Sequence, residues 1–555
     1  MHTIDWIILV STLLLIVIYG TLKTRGAKSS SDYIKAGNQA KWWTIGLSVM
    51  ATQASAITFL STPGQAFHDG MGFIQFYFGI PIAIIVVCMV FIPIYHKLKV
   101  YTAYEYLETR FDLKTRTLTA LLFLIQRSLS AGITIFAPAI ILSSVLGWDL
   151  TTLNIILGLL VIIYTVSGGT KAVSYTQKYQ MGIIFVGLII CLAVIINLLP
   201  ENISFRNAID IAGANSKLEV LNFSFDLENR YTIWSGLLGG TFLMMSYFGT
   251  DQSQVQRYLS GKSLKEMQLG MIFNGILKIP MQFFILFIGV MVFVFYQFNS
   301  SPINFNPQSI NTINNSTYEK NYNTLQNELN NIFNQKQYQI NNYVSGNYDA
   351  KYGLSELELK EKKLRLEAKN LIALASKEKK IKVETNDKDY VFITFILENL
   401  PKGLIGLLLA VILSAAMSST SSEINALATT TAIDIYKRNK ENVSDQELVK
   451  ITKFFTFFWG LIAIGIACVA YLADNLIQLV NIIGSIFYGN VLGIFLIAFF
   501  LKYIKSNAIF FGAIITQIII IYGWYNDWMP FLWLNIFGCI VVISISSLLQ
   551  LAQKN

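Results

Sequence analysis

Five hydroxyl side chains, Ser418, Ser419, Thr420, Ser421 and Ser422, fall in the middle of the apolar run 404–438, LIGLLLAVILSAAMSSTSSEINALATTTAIDIYKR. Hydrocarbon gives hydroxyls no water, so oxygens clustered at membrane depth need one another, backbone carbonyls or a bound cation. A hard cation such as sodium takes oxygen ligands. Hydroxyls, together with carbonyls freed by a broken helix, supply them without a full counter-charge. Glue between packed helices is the other use of the same residues.

Two further stretches interrupt apolar spans in the same way. In 46–66, GLSVMATQASAITFLSTPGQA, the polar residues Gln53, Ser55 and Thr58 sit among small ones, Ser48, Ala51, Ala54 and Ala56, and Pro63–Gly64 is expected to end the helix. This reads as a helix that unwinds mid-membrane; a Pro-kinked packing helix is the alternative. In 236–258, GLLGGTFLMMSYFGTDQSQVQRY, four glycines weaken the helix before it exits at Asp251 and Gln252. Spans starting at 43 and 233 would open two halves of five helices each, both with a broken first member. Paired interrupted segments point to an inverted-repeat transporter site. Arg127 lies eleven residues beyond Arg116, roughly 16 Å into the membrane at about 1.5 Å per residue. Placing an Arg there costs about 2.5–3.5 kcal/mol on insertion scales, which requires a partner or a function unless the side chain snorkels. Asp251 and Glu105 are its candidate partners in sequence.

The elements that position these residues are membrane spans. The chain is 54% apolar and 14% charged, with mean hydropathy +0.52, which excludes a soluble fold. At roughly 20 apolar residues per span, about thirteen are expected, near 4–22, 43–66, 72–95, 117–146, 152–167, 179–199, 233–250, 268–298, 391–432, 452–472, 474–501, 507–525 and 530–550. Basic residues gather after the first span (Lys23, Arg25, Lys28, Lys35, Lys41), the third (Lys97, Lys99, Arg110, Lys114, Arg116) and the ninth (Lys437, Arg438, Lys440, Lys450, Lys453). The short opposite loops at 147–151, 473 and 523–529 hold no Lys or Arg. By the positive-inside rule the N-terminus lies outside and the C-terminus in the cytoplasm of a plasma (inner) membrane. The net charge of +9 is an orientation signal and implies no nucleic-acid partner. Cys88, Cys191, Cys468 and Cys539 stand alone in apolar spans, and the three histidines have no metal-ligand or triad spacing, so no enzyme or structural metal is expected.

The chain divides into 1–298, an extracytoplasmic insert 299–389, and 390–555. The insert's first half is Asn-rich and reads as disordered. Its second half reads as a helix, with Leu357, Leu364 and Leu371 seven apart and Glu356–Lys360, Glu358–Lys362 and Glu361–Arg365 spaced for i,i+4 pairs. A solvated hairpin over the outer vestibule or a partner-docking arm fits that pattern.

Five collinear blocks carry a family resemblance: SAITFLSTPGQAF at 55–67, TAYEYLETRF at 102–111, YTVSGGTKAV at 164–173, TDQSQVQRYL at 250–259 and AAMSSTSSEINALATTTAIDIYK at 415–437. With them the chain, from about 5 to 525 outside the insert, resembles the sodium:solute symporters, in the branch carrying monocarboxylates, vitamins, iodide and sialic acid. The resemblance implies an all-α LeuT-type fold of 5+5 inverted repeats working by alternating access. It implies a sodium site from the carbonyls of Ala51, Ala54 and Ala415 and the hydroxyls of Ser418 and Ser419. It also implies solute contacts at Ser55, Thr58, Gln53 and Tyr77. A second sodium in the family uses an acid where this chain has Gln177, although Ser421 and Ser422 are present, so one sodium per solute is expected. The Arg that the family's sialic-acid carriers place on the third core helix falls on Ser130, with Arg127 one turn inward.

The reading that results is a multi-pass, sodium-coupled symporter importing a small organic solute, with sodium as its cofactor, the lipid bilayer and the solute as partners, and no obligate protein partner. The solute is expected to be anionic, met by Arg127. A carrier of neutral sugar or polyol, or a transporter-like sensor with a separate signalling partner, is the alternative.

Overall fold

A computed structural model describes residues 2–24, 29–226, 228–381, 383–440, 442–470 and 476–553. Arg25, Lys28, the loop at 473 and Lys554–Asn555 lie outside the described residues. Among the described residues there is no strand, and one isolated bridge pairs Ala40 with Gly261. Helix α1 (Thr3–Thr24) precedes the first repeat. That repeat begins with the broken pair α2 (Trp42–Gln53) and α3 (Ala56–Asp69). A 3-10 segment, Gly70–Tyr77, leads to α4 (Ile80–Val86), whose helix runs on to Leu98 through a π turn. Helices α5 (Leu113–Leu146) and α6 (Leu150–Asn197) follow. The second repeat opens with α7 (Gly240–Gly249) and α8 (Gln252–Tyr258), then α9 (Leu264–Phe295). The insert holds α10 (Glu319–Val344) and α11 (Ala350–Lys379). Helices α12 (Lys388–Asn399), α13 (Leu404–Thr430), α14 (Asp445–Val469), α15 (Leu476–Phe500), α16 (Ser506–Tyr525) and α17 (Phe531–Ala552) complete the chain.

Local chemistry sets the starts and breaks. Asp112 and Ser444 accept from the amides three residues on, at 2.9 and 3.2 Å, capping α5 and α14. The chain breaks at Ala54 and Ser55 (ψ 72° and 173°) and again at Thr250 and Asp251, where Asp251 at ψ 117° caps α8. The two repeats therefore open on interrupted helices at matching places. By length and composition nine helices are able to cross a membrane, or up to ten counting one bent pair, among the described residues. Of the thirteen expected spans, 43–66 and 233–250 fall on broken helices, 152–167 on the bent pair, and 4–22 on α1, whose Thr3–Leu15 is a shorter apolar helix. The expected spans 152–167 and 179–199 lie on the two limbs of α6, which meet at the non-helical Gly169 (φ 53°, ψ −158°). The expected span 391–432 is divided at 400–403 between α12 and α13.

Two expectations are corrected. Pro63–Gly64 does not end its helix: α3 continues to Asp69. These residues instead allow close packing. A Cβ on Gly64 would lie 1.7 Å from Lys388 O, and one on Gly289 would lie 2.2 Å from Pro63 O. The insert's Asn-rich first half is not coil but holds most of α10, because Tyr322, Leu325 and Leu329 line one helical face and pack with Ala368, Ile372 and Ala375 of α11. Leu364 and Leu371 pack on that same cluster.

Candidate functional site

The break in α2–α3 faces α13. Ala54 N donates to Met50 O at 2.9 Å, and the next backbone bond is Thr58 N to Ser55 O at 3.0 Å. The carbonyls just before the break are thereby released from the helical ladder. Ala51 and Ala54 are buried, as are Ala415, Ser418 and Ser419. Ser419 Oγ donates to Ala415 O (3.1 Å) and Ala416 O (3.2 Å), leaving its lone pairs for another ligand. Ser418 Oγ is buried with no hydrogen-bond partner among the described residues. An orphaned buried hydroxyl beside released carbonyls fits a hard, oxygen-seeking cation.

One turn along α13, a second polar knot joins three helices. Gln177 of α6 donates from Nε2 to Thr52 Oγ1 (3.2 Å) and Ser422 Oγ (3.1 Å), while Ser48 Oγ donates to its Oε1. Ser421 and Ser422 each donate to Ser418 O at 3.0 Å. The amide thus lies among the hydroxyls and aims hydrogens at two of their oxygens.

Beside the break lies a cavity of about 110 Å³, lined among others by Gln53, Ser55, Thr58, Tyr77, Ser419 and Glu423. Thr58 Oγ1 donates to Gln53 O at 3.3 Å, and Gln53 Oε1 is buried without a partner among the described residues. Arg127 also lines this cavity. It pairs with Asp251, donates to Glu423 Oε1 at 2.9 Å and reaches Tyr488 OH at 2.6 Å. Tyr488 OH in turn donates to Asp251 Oδ2 at 2.9 Å. Two carboxylates therefore already engage the guanidinium that the sequence reading assigned to the solute. Of the two candidate partners, Asp251 is used. Glu105 instead accepts from the amides of Tyr101 (2.7 Å) and Thr102 (2.9 Å).

The residue missed from the sequence is Lys278 of α9. It is 2% exposed and lines the same cavity. Among the described residues its ammonium has no ion pair, and it stands 5.7 Å from the Tyr77 ring centroid. Its signal was the one applied to Arg127: a lone charge in the apolar run IFNGILKIPMQFF. Glu423 was hidden within the hydroxyl run, and Tyr488 carries no signal at all.

Outside the membrane segments, the insert is tied down by buried charge. Lys336 Nζ meets Glu358 (2.6 Å) and Glu361 (2.7 Å), Lys217 meets Glu358 (2.9 Å), and Arg365 meets Glu361 (2.8 Å). Burial by itself would raise the Glu361 carboxyl. Lys336 and Arg365 outweigh it and hold that carboxyl down to about 2. Glu358 is likewise raised by burial but held well below the usual range by Lys217 and Lys336. Glu358 therefore serves these lysines and not the expected Lys362. The Glu356–Lys360 and Glu361–Arg365 pairs do form.

Comparison with known proteins gives this geometry a family. The sodium:solute symporter family profile matches residues 33–334 and 364–516, and the chain belongs to that family. It is 27% identical over 516 residues to sodium-coupled monocarboxylate transporter 1 of Xenopus laevis, covering 92% of this chain and 70% of that one. It is 25% identical over 546 residues to the sodium/sialic acid symporter SiaT of Proteus mirabilis, covering 97% and 93%. Among solved structures it superposes on a substrate-bound, outward-open Na+-coupled sialic acid symporter with TM-score 0.75 and 23% identity, covering 99% and 98%. That likeness shows the fold, an all-α LeuT-type architecture. The chain is a multi-pass, sodium-coupled symporter of small solutes and not an enzyme.

Proposed function

We propose that this symporter imports a small organic anion, one sodium per solute, with the solute carboxylate received by Lys278. The observation that carries this reading is a buried ammonium facing the central cavity with no protein counter-charge among the described residues. Burying such a charge is costly unless it is paired, and a carboxylate arriving from the outer vestibule pairs it. Gln53, Ser55, Thr58 and Tyr77 hold the rest of the solute. Arg127, already engaged, closes the path beneath. Sodium sits between the carbonyls of Ala51, Ala54 and Ala415 and the hydroxyls of Ser418 and Ser419. The distribution of basic residues supports a plasma (inner) membrane location with the N-terminus outside, the C-terminus in the cytoplasm, and 299–389 as an extracytoplasmic insert.

The test is a thermal-shift screen of the purified chain in sodium buffer with lactate, gluconate, glucose and inositol. Carboxylates are expected to stabilise the wild type, and Lys278→Met to weaken their apparent affinity tenfold or more with sodium stabilisation kept. Stabilisation by the uncharged polyols alone would return the alternative, a carrier of neutral sugars.

A further inference from the structure

The cavity that presents Lys278 also presents two acceptor atoms with nothing to accept. Glu423 Oε1 is taken by Arg127, but among the described residues Glu423 Oε2 is buried without a hydrogen-bond partner, and so is Gln53 Oε1. The Thr134 hydroxyl stands beside the Glu423 carboxylate, but its one proton is directed to Ser130 O at 2.9 Å. Gln53 reaches the cavity from the end of α2 and Glu423 from α13, whereas Lys278 comes from α9. A buried acceptor left without a donor costs about 1–3 kcal/mol, and more when it is charged. The cavity is therefore two-ended in its chemistry: one wall offers a cation, and others offer acceptors.

We propose that Glu423 and Gln53 form a donor-recognising subsite, so that the transported solute carries a hydrogen-bond donor, a hydroxyl or an ammonium, in addition to its carboxylate. This rests on the reading of Lys278 as the carboxylate partner. A bare aliphatic carboxylate would satisfy Lys278 and leave Glu423 Oε2 and Gln53 Oε1 desolvated against carbon. A site built to bond a donor rejects the analogue that lacks it far more strongly than an apolar pocket rejects one methylene. Charge balance is compatible with either donor. Arg127, Lys278 and one sodium bring three positive charges to the site, and Asp251, Glu423 and the solute carboxylate bring three negative ones. A hydroxyl leaves the sum at zero and an ammonium raises it by one.

The experiment uses the full chain in sodium-containing proteoliposomes and two matched sets of probes. The first set is propionate, lactate and alanine; the second is hexanoate, gluconate and 6-aminohexanoate. Competition and thermal-shift titrations should rank at least one donor-bearing member tenfold or more above the bare carboxylate in its set. Gln53→Leu should reduce that ratio at least threefold while sodium activation is kept. Glu423→Gln retains an acceptor but no charge. Selection kept within about threefold assigns a hydroxyl, and selection lost assigns an ammonium. Glu423→Leu should remove selection in both cases.

Equal affinity of the wild type for bare and donor-bearing carboxylates overturns the proposal. So does a loss of sodium activation in step with solute binding in the Glu423 variants, which would make Glu423 a cation ligand. If Lys278→Met abolishes carboxylate binding while Gln53→Leu and Glu423→Leu leave the ratio unchanged, the anion reading stands and this one falls. If no carboxylate binds to the wild type and inositol does, the anion reading itself has failed.

Discussion

Replacing Gln177 by Asp tests the sodium stoichiometry at its structural root. In the wild type the Gln177 amide is completely buried, and its Nε2 hydrogens point at Thr52 Oγ1 and Ser422 Oγ from 3.2 and 3.1 Å. Those are the oxygens a second cation would need, and a donor group occupies them. An aspartate cannot donate. The substitution therefore removes two hydrogen bonds, each worth about 0.5–1.5 kcal/mol net, and introduces a carboxylate with no cation among its present bonding partners. An uncompensated buried charge typically costs about 3–5 kcal/mol. In sodium-free buffer the variant should be destabilised by several kcal/mol relative to wild type.

Sodium should then recover much of that loss, because the introduced carboxylate with Ser421, Ser422 and Thr52 makes an anionic oxygen pocket. Saturation at about a hundred times the dissociation constant returns about 2.7 kcal/mol. The assay is thermal stability of the purified chain titrated with sodium at constant ionic strength, followed by sodium dependence of uptake. Wild type should titrate with a Hill coefficient near one, and Gln177→Asp should show a steeper, larger sodium-dependent rise. Two coupled sodium ions in the wild-type reversal potential would refute the reasoning. So would a variant whose sodium response matches wild type.

Three further outcomes follow from the same geometry. Ser418→Ala and Ser419→Ala each delete one oxygen of the proposed sodium site and should raise the half-saturating sodium concentration roughly tenfold, about 1.4 kcal/mol, with unchanged expression; unaltered sodium activation in both would refute that assignment. Arg127→Lys puts a single compact ammonium where a planar fork serves Asp251, Glu423 and Tyr488, so turnover should fall while solute affinity survives, measured by uptake against equilibrium binding; loss of affinity alone would return Arg127 to the solute. Lys336→Met leaves Glu358 and Glu361 buried without their shared cation and should destabilise the α10–α11 hairpin by about 3–5 kcal/mol, read by hydrogen exchange. In the wild type these depressed carboxyls contribute stability that is complete above about 4.5, the ordinary glutamate value, and is lost as pH falls toward about 2 for Glu361. Exchange protection of the hairpin should therefore be flat from neutral pH to about 4.5 and decline below it; a decline that begins near neutrality would refute the charge-clamp account.

The features legible in the sequence are those that interrupt a hydrophobic run. The breaks at Ala54–Ser55 and Thr250–Asp251 announce themselves because small and polar residues stand where a spanning helix needs apolar ones, and the same logic singles out Ser418 to Ser422. The hairpin in the insert is half hidden because the apolar residues of α10 are sparse among asparagines. Their burial is decided by α11, which no local pattern of α10 reveals.

The charges show the limit most sharply. Cost alone flags Arg127 as an intramembrane cation in need of an explanation, and the same rule applies to Lys278. Which of the two is free is a tertiary fact. Arg127 finds Asp251 and Glu423, 124 and 296 residues away, because the second broken helix and the hydroxyl-bearing helix converge on it. Lys278 lies on a helix wall that brings it to an aromatic face and to no acid among the described residues. Sequence identifies the charges that have to be answered; the fold determines that one is answered by protein, and the proposed binding mode answers the other with the solute.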